Sequence, residues 1–510
     1  MPAVKGHRRK SGHLLSEKKS YYGKIMINAK IILKVLGSLL FLEVLLLSGC
    51  LGLGLFYGEH DYLSFGVPAL CALFLGITFK MFGRHAENRM SRRDGFLSVS
   101  LSWIIFSAIG MLPFLIGGHE TRVAAAFFES MSGFSTTGST IFTDVDALPK
   151  SILFWRSLTH WFGGMGIVFF TIAVLPTMGT GDLKLFSAEA TGLKTGKLHP
   201  RISTTARWLW GVYLFLTVAC TAALYLCGMS LFDAVNHGMS TVATGGFSTH
   251  TDSVGWFRSP LIEYVELIFM FLASINFTLL YLFFIKRHWR DVWRDGELRC
   301  FIAICSFVIV YVTAALYMTS DFDLADSFRY AAFHVMSLQS TTGFTSHDFM
   351  EWHPSTYLMM FFVTAVGSCA GSTSGGIKCI RVMTAYKMMA NEFRHILHPR
   401  AVMPIRINRI TIGEDVGHTI FAYFVAFFVL IFGAAVIMSC MGIPLLDSFS
   451  LGIASFANAG PSIGHLVGPL DAWNMLPDSV LWINSFLMLA GRLEIFSLLL
   501  PFIPAFWRDN

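Results

Sequence analysis

The sequence has few charged residues. Asp, Glu, Lys and Arg make up 14% of its 510 residues, against about 25% in an ordinary soluble domain. Hydrophobic residues make up 54%, and several apolar runs are long enough to cross a bilayer. This composition excludes an ordinary soluble protein and predicts a polytopic membrane protein. The longest stretch without a strong apolar run is the first 30 residues, which leaves little room for a soluble domain.

Motifs for catalysis, nucleotide binding and structural metal are also missing. The sequence contains no HExxH, GxSxG or GxxxxGK[ST], and the segment ATGLKTGKLH lacks the spacing and the final Ser or Thr of a phosphate loop. The nine cysteines include no CxxC pair, and most lie within apolar runs, so neither a disulfide framework nor a zinc site is indicated. We therefore predict that the chain is not an enzyme and binds no nucleotide itself; an intramembrane enzyme is a remote alternative.

The charges that are present alternate in sign along the chain. Residues 1–30 carry eight Lys or Arg and one Glu, and further basic connections lie at 80–93, 179–207, 286–299 and 394–409. Acidic connections separate them. Basic loops remain in the cytoplasm, so we expect both termini on the cytoplasmic side of a bacterial inner membrane. Nucleic-acid binding is the alternative for the tail, but the positive-inside rule explains its charge, and we predict no nucleic-acid partner.

Ten transmembrane helices are predicted from the apolar runs. The first run is too long for the core of a signal peptide, and no clear cleavage site follows it. The even number agrees with termini on the same side. The expected helices are 31–57, 62–83, 96–117, 152–178, 206–229, 260–286, 298–319, 355–395 (broken), 416–441 and 478–506.

Four polar stretches rich in Thr and Gly share one plan. Each follows a short semi-apolar segment and precedes an apolar run. Their central glycines are spaced by 108, 97 and 117 residues, and one column of the alignment holds Thr136, Thr244, Thr341 and Asn458. With the end of the preceding semi-apolar segment included, the sequences read FESMSGFSTTGST around Gly138, VNHGMSTVATGGFST around Gly246, HVMSLQSTTGFTS around Gly343 and LGIASFANAGPSIG around Gly460.

Four tandem copies of this plan predict a pseudo-fourfold arrangement. Non-helical backbone is tolerated at membrane depth only where it is buried in protein or lines a water-filled path. We therefore expect the stretches to converge on one axis, where they present carbonyls and hydroxyls but no acids. Such a ring of neutral oxygens replaces the hydration shell of a monovalent cation. The alternative is four surface loops that share a composition.

Seven segments resemble the Trk/Ktr/HKT superfamily of potassium transporters, closest to its bacterial TrkH branch. The resemblance runs from about residue 30 to the C-terminus. The segments are STTGS, TVATGGFSTH, STTGFTS, ANAGPS, FWRSLTHWFGGMGI (154–167), GSCAGSTSGGIKCIR (367–381) and MLAGRLEIFSLLLPF (488–502).

The resemblance implies uptake of potassium, and often rubidium, through a gated pore in each subunit of a homodimer in the lipid bilayer. It also implies a cytosolic nucleotide-binding regulatory ring of the TrkA type as partner. The transported K+ is expected at a selectivity filter. The filter residues by position are Ser135, Thr136, Thr137, Gly138, Ala243, Thr244, Gly245, Gly246, Ser340, Thr341, Thr342, Gly343, Ala457, Asn458, Ala459 and Gly460.

The predicted fold class is an all-α polytopic membrane protein with four helix–pore-helix–filter–helix repeats and two extra N-terminal helices. The expected parts are a cytoplasmic basic tail (1–30), two extra transmembrane helices (31–95), repeat 1 (96–178), repeat 2 (203–289), repeat 3 with an intramembrane gating loop at 367–376 (298–395) and repeat 4 (413–506).

The eighth span is interrupted by GSCAGSTSGG, residues 367–376. Each of its four glycines costs about 1 kcal/mol in a helix interior. The family resemblance assigns this segment to a gate, whereas a tight helix crossing lined by small residues is the alternative. Arg492 is expected beside the permeation path, with a structural ion pair as its alternative role. The predicted gate residues are Gly367, Gly371, Ser372, Thr373, Ser374, Gly375, Gly376, Lys378 and Arg492.

Two further expectations concern titratable groups. His237 and His334 lie just before the second and third polar stretches without metal-ligand spacing, and we assign both to packing. A proton-coupled symporter would need a titratable relay in its path, and the four stretches contain no acid. We therefore expect passive gated flow, with a proton- or sodium-coupled potassium symporter of the same fold as the alternative.

Overall fold

The computed structural model describes residues 27–86, 90–174, 202–400, 404–408 and 410–508. The basic tail up to residue 26 and most of the basic connection at 179–207 lie outside these ranges. Within them the chain is almost entirely helical. The one sheet among the described residues is an antiparallel hairpin of Ile405–Ile407 and Ile410–Ile412, so the all-α fold class is confirmed.

The long helices occupy the predicted apolar runs. Six helices in the described ranges are long and apolar enough to cross a membrane, and two bent pairs bring this number to eight. The remaining two predicted spans correspond to Lys150–Val174 and to the interrupted pair Pro354–Val366 and Cys379–Leu397. The helices and bent pairs are Ala29–Tyr57, Tyr62–Phe82, Arg92–Gly110 with Leu112–Ile116, Ile202–Leu226, Pro260–Ser274 with Phe277–Phe284, Gly296–Thr319, Glu414–Cys440, and Asp478–Arg492 with Phe496–Leu499.

Two spans that we expected to be continuous are sharply bent. The span at 260–286 turns by 106° between Ser274 and Phe277, and the span at 478–506 turns by 115° after Arg492. At the first bend Asn276 caps the next helix, since its side chain accepts a hydrogen bond from the backbone N–H of Thr278 at 2.8 Å. At the second bend Glu494 and Ile495 take positive φ angles of 59° and 50°, which ends a right-handed helix.

Four short helices lie between the long ones and precede the four Thr/Gly stretches. The second begins after Ser230, whose side chain accepts from Asp233 N–H, and the third after Asp323, which accepts from Asp326 N–H. Such caps provide acceptors for backbone N–H groups of the first helical turn, which have no partner within the helix. The short helices, numbered in chain order, are Val123–Phe134, Leu231–Ala243, Leu324–Gln339 and Leu445–Phe456.

The described residues pack around two large hydrophobic cores. One core joins the first two long helices to the first and fourth repeats, with Trp155 and Trp473 among its fully buried side chains. The other core joins the second and third repeats around residues such as Phe301 and Phe333. The remaining helix faces carry many exposed large apolar side chains, for example Phe56 and Phe428. Such faces suit a lipid environment.

Two glycines allow long helices to touch the ends of short ones. A Cβ placed on Gly163 would lie 1.9 Å from the carbonyl oxygen of Phe134, and one on Gly491 would lie 1.9 Å from that of Phe456. Phe134 and Phe456 are the last residues of the first and fourth short helices. The two contacts occur at equivalent places in the two repeats, and a side chain at either site would push the elements apart.

We expect Gly163→Ala and Gly491→Ala each to lower the free energy of unfolding by about 1–3 kcal/mol, as overpacking does. Thermal unfolding of the purified protein in detergent measures this effect. Gly433→Ala is the matched control, because Gly433 lies within a long helix and a Cβ there meets nothing within 4 Å. Equal stability of Gly163→Ala and the control would contradict the predicted contact.

Candidate ion-conduction site

The four Thr/Gly turns form a closed ring. Each central glycine faces the carbonyl oxygen that precedes the central glycine of the next turn, and the fourth turn returns to the first. The distances from a Cβ placed on each glycine are 2.1 Å from Gly138 to Gly245 O, 2.0 Å from Gly246 to Thr342 O, 2.2 Å from Gly343 to Ala459 O, and 2.6 Å from Gly460 to Thr137 O. Only glycine fits such an approach of two backbones.

Equivalent residues of the turns have the same backbone conformation. The four central glycines have φ between 83° and 87°. The column two residues earlier also lies in the left-handed region, with φ of 57° at Thr136, 55° at Thr244, 57° at Thr341 and 54° at Asn458. A left-handed residue other than glycine costs about 1–2 kcal/mol. Such conformations persist only where the surroundings hold them.

The ring is lined by neutral groups. Its hydroxyls pair within the turns, with Ser135 and Thr137 oxygens 2.7 Å apart and Ser340 and Thr342 oxygens also 2.7 Å apart. Asn458 joins turns by donating to the Thr137 hydroxyl at 3.1 Å. No group of three His, Cys, Asp or Glu within the described ranges is placed to hold a metal ion. Any cation in the ring would therefore meet backbone carbonyls and hydroxyls.

An open cavity lies on one side of the ring and reaches all four central glycines. Arg156, His250 and Asp471 are the charged or titratable residues on its wall. Asp146, from one of the acidic connections, pairs with His250 at this end of the structure. The cavity forms a vestibule that leads directly to the ring.

A buried ion pair supports the vestibule beside the first turn. Arg156 and Glu129 are 2% and 0% exposed, and their Nε and Oε1 atoms are 2.8 Å apart. Arg156 also donates to the carbonyl of Ser248 at 3.1 Å and to the Thr140 hydroxyl at 3.1 Å. The pair thus connects the segments that follow the first and second turns. Arg156 was not predicted as a site residue, because partners such as Ser248 are far away in the chain.

A second buried network lies behind the second turn. The Nδ1 atom of His237 is 3.3 Å from Glu266 Oε1, and neither side chain is exposed. Thr241 donates to Glu266 at 2.6 Å, and His237 Nε2 lies 3.1 Å from the Ser248 hydroxyl. The His237 ring is also stacked on Phe344, which follows the third turn. His237 is therefore both packed and hydrogen bonded, and its partner Glu266 had no signal in the sequence.

The loop at residues 367–376, which we predicted as an intramembrane gating loop and call the intramembrane loop, lies against the ring, and none of its residues lines the vestibule. Gly375 N–H donates to the Thr341 hydroxyl at 2.7 Å, and the Thr373 hydroxyl donates to the carbonyl of Val242 at 3.0 Å. Gly367 and Gly371 have positive φ. A Cβ on Gly375 would lie 2.0 Å from Ala457 O. The loop is therefore in contact with three of the four turns or their short helices.

Two buried cations hold the intramembrane loop. Arg492 donates to the Thr373 carbonyl at 2.9 Å and to the Gly163 carbonyl at 2.6 Å. Lys378 donates to the carbonyl and hydroxyl of Ser374. The nearby Glu494 is bonded to Arg381 instead of Arg492. The structure thus brings the predicted gate residues together around one loop.

Glu297 also holds this loop, from the start of the helix Gly296–Thr319. Its Oε1 atom accepts from the backbone N–H groups of Ala370 at 2.6 Å and Ile380 at 3.2 Å. Ile407 of the hairpin packs against the same two residues. Nothing in the sequence pointed to Glu297, since an acid at a helix start normally serves as a cap.

His250 connects two acidic side chains at the vestibule. Its Nδ1 atom lies 2.5 Å from Asp146, its Nε2 atom lies 3.7 Å from Asp233, and its ring stacks on Trp256. Partial burial lowers the pKa of His250, but the hydrogen bonds and charges of Asp233 and Asp146 outweigh it and leave the pKa raised. When it is protonated, the ring ties the segment after the first turn to the second short helix.

A raised pKa in the folded protein makes this contact stabilising at low pH. We expect His250→Gln to lower the free energy of unfolding by about 1 kcal/mol below the unfolded pKa of about 6.5. The difference should disappear as the pH rises through the raised folded value. Thermal unfolding measured across this pH range tests the predicted loss of stability. The control is the same replacement at His353, which is exposed and contacts the Ser355 hydroxyl. A difference that grows at high pH would contradict the assignment.

Comparisons with known proteins agree with this architecture. Residues 69–509 match the TrkH family model, described as a cation transport protein. The Trk system potassium uptake proteins TrkH of Halomonas elongata and Escherichia coli K12 are each 35% identical, over 94% and 92% of this chain and 100% and 98% of their own length. The crystal structure of the potassium transporter TrkH from Vibrio parahaemolyticus matches with a TM-score of 0.86 and 34% identity, over 94% of this chain and 99% of that one. The chain is therefore a multi-pass membrane protein that belongs to the TrkH family of cation transport proteins.

Proposed function

We propose that the protein takes up potassium through the ring of four Thr/Gly turns, which serves as its selectivity filter. The closed ring of glycine-to-carbonyl contacts is the observation that carries this proposal. It creates one axis that is reached from the vestibule and lined by oxygens of all four repeats. The relatives that cover nearly all of the chain are named as potassium uptake proteins of the Trk system.

The chemistry of the ring favours a large monovalent cation. Neutral carbonyl dipoles replace the hydration shell of such an ion, whereas sites for Ca2+ or Mg2+ generally use carboxylates. None of the sixteen predicted filter residues is acidic. K+ is the proposed ion and Rb+ a second substrate. Each repeat supplies one glycine-centred turn, so we expect fewer stacked oxygen rings, and weaker exclusion of Na+, than in channels with a five-residue TVGYG run.

The intramembrane loop is the proposed gate. It lies directly against the ring, and Arg492, Lys378 and Glu297 hold it by bonds to its backbone. Replacing these bonds would allow the loop to move away from the axis. The buried charge of Arg492 beside this path would also oppose a cation there. Conduction therefore requires displacement of the loop.

Passive flow is the favoured form of transport. The groups that line the ring are not titratable at physiological pH, so the filter offers no proton relay. Symport coupled to protons or sodium is the competing function. Its relay would have to use groups behind the ring, such as His237 and Glu266, which lie 3.3 Å apart.

The proposed setting is the bacterial inner membrane, with the basic connections and both termini in the cytoplasm and the vestibule outside. This orientation follows from the distribution of basic residues. The repeats 96–178, 203–289, 298–395 and 413–506 then surround one pore. A homodimer and a cytosolic nucleotide-binding ring of the TrkA type are the proposed assembly, in which this chain itself binds no nucleotide.

Gly343→Ala should abolish rubidium entry into liposomes that contain the purified protein. In this assay a gradient of K+, Rb+ or Na+ is applied while the proton gradient is collapsed. The added Cβ would meet the Ala459 carbonyl at 2.2 Å and obstruct the ring. Gly442→Ala is the control for backbone strain, because Gly442 has φ 94° and open space around it. If the unmodified protein takes up rubidium only under an inward proton gradient, the result would support the symporter. Normal rubidium flux through Gly343→Ala would contradict the assignment of the ring as the filter.

Arg492→Gln should increase rubidium flux by about tenfold and leave the ratio of sodium to rubidium flux unchanged. The change removes a positive charge and weakens the bond to the Thr373 carbonyl, and a charge-assisted hydrogen bond contributes about 1.5–3 kcal/mol. The same liposome assay measures both quantities. A changed ion ratio with unchanged flux would place Arg492 in the filter and contradict its role at the gate.

A further inference from the structure

Each short helix is connected by a side chain to the chain just beyond its turn. The position nine residues before the central glycine holds Glu129, His237 and His334 in the first three repeats, and Ser450 lies one residue further back in the fourth. All four side chains are buried, with exposures of 0%, 0%, 0% and 2%. We call them the clip residues. Their equivalent positions indicate one structural role.

In the first repeat Glu129 makes this connection. Its Oε2 atom accepts a hydrogen bond from the backbone N–H of Ile141 at 2.8 Å, and its Oε1 atom accepts from the Thr140 hydroxyl at 3.1 Å. Ile141 is the third residue after Gly138. The ion pair with Arg156 holds the carboxylate in place.

The histidines make the same connection in the second and third repeats. His237 Nε2 lies 3.1 Å from the hydroxyl of Ser248, two residues after the central glycine. His334 Nε2 lies 3.3 Å from the backbone nitrogens of Ser346 and His347 and 3.0 Å from the His347 carbonyl oxygen. Its Nδ1 atom faces the carbonyl of Tyr330, within the third short helix. In either tautomer His334 ties its helix to the segment after the turn.

Ser450 does so in the fourth repeat without a charged or titratable group. Its hydroxyl accepts from the backbone N–H of Ile463 at 2.5 Å and pairs with the Ser462 hydroxyl at 2.7 Å. Ile463 is the third residue after Gly460. The side chains of an acid, two histidines and a serine thus all bond to the chain two to four residues after the central glycine. Shared chemistry cannot explain this agreement, but a shared mechanical requirement can.

That requirement is the width of the ring. Each turn continues directly from its short helix, which fixes the start of the turn. The clip residue fixes the chain at the end of the turn. Without the second attachment, the left-handed residues between them could relax, because strained conformations persist only when their surroundings determine them. A relaxed turn could then move its carbonyls inward around a cation smaller than K+.

We propose that the four clip residues are positioning residues for ion selectivity, which hold the chain beyond each turn so that the ring cannot contract around Na+. The inference rests on the proposed function of the ring as a filter. It assigns no contact between a clip residue and the ion. It predicts that loss of a clip changes the ratio of ion fluxes more than the rubidium flux itself.

Ser450→Ala is the first test, because it removes one hydroxyl from a neutral site. In the liposome assay we expect the ratio of sodium to rubidium flux to rise about fivefold, the factor that corresponds to one ordinary hydrogen bond. Ser450→Thr, which retains the hydroxyl, should restore the original ratio. Ser130→Ala is the matched control: Ser130 is also buried in a short helix, and its hydroxyl has no partner among the described residues. The ratio does not depend on how much protein is folded.

His334→Phe repeats the test in the third repeat, since it retains a ring and removes both ring nitrogens. The same direction of change in both variants would support the proposal. A ratio equal to that of Ser130→Ala in both variants would overturn it and leave the filter itself intact. Absence of rubidium entry through the unmodified protein would instead refute the proposed function, so the two failures are distinguishable.

Discussion

The structure depends on one constraint, which is that non-helical backbone at membrane depth must be satisfied within the protein. Four turns interrupt the helical chain, and each presents a left-handed glycine to the carbonyl of the next turn. The contact closes into a ring only when all four repeats are present. The short helices, the bends and the buried polar networks all serve to hold this ring, which explains why a chain with so few charges buries several of them beside it.

The buried charges divide into two groups on opposite sides of the ring. On the vestibule side, Arg156 and Glu129 pair with each other and fix the segments that follow two turns. On the other side, Arg492 and Lys378 donate to carbonyls of the intramembrane loop, and Glu297 accepts from its N–H groups. A buried charge without partners is very costly, and each of these charges is hydrogen bonded to at least one backbone group. The first group fixes the wall of the vestibule, and the second holds the loop that we propose as the gate.

Much of this arrangement could be predicted from the sequence because it repeats. The register that put Thr136 in one column with Thr244, Thr341 and Asn458 agrees with their common left-handed conformation. The bends after Ser274 and Arg492 were missed, because an apolar run resumes after each bend; Asn276 at the first bend and Arg492 and Glu494 at the second were the local signals. Arg156, Glu266 and Glu297 were missed as site residues for another reason. Their partners lie far away in the chain; Ser248, for example, is 92 residues from Arg156. One sequence does not reveal which distant groups meet.

The central claim is that a cation binds on the axis of this ring and is held by neutral oxygens. Anomalous diffraction from crystals grown with rubidium tests it most directly. The account predicts a rubidium peak between the turns that contain Gly138, Gly246, Gly343 and Gly460, displaced by excess potassium. Rubidium found only beside the acidic residues of the vestibule, such as Asp471, with an empty ring at saturating concentration, would contradict it.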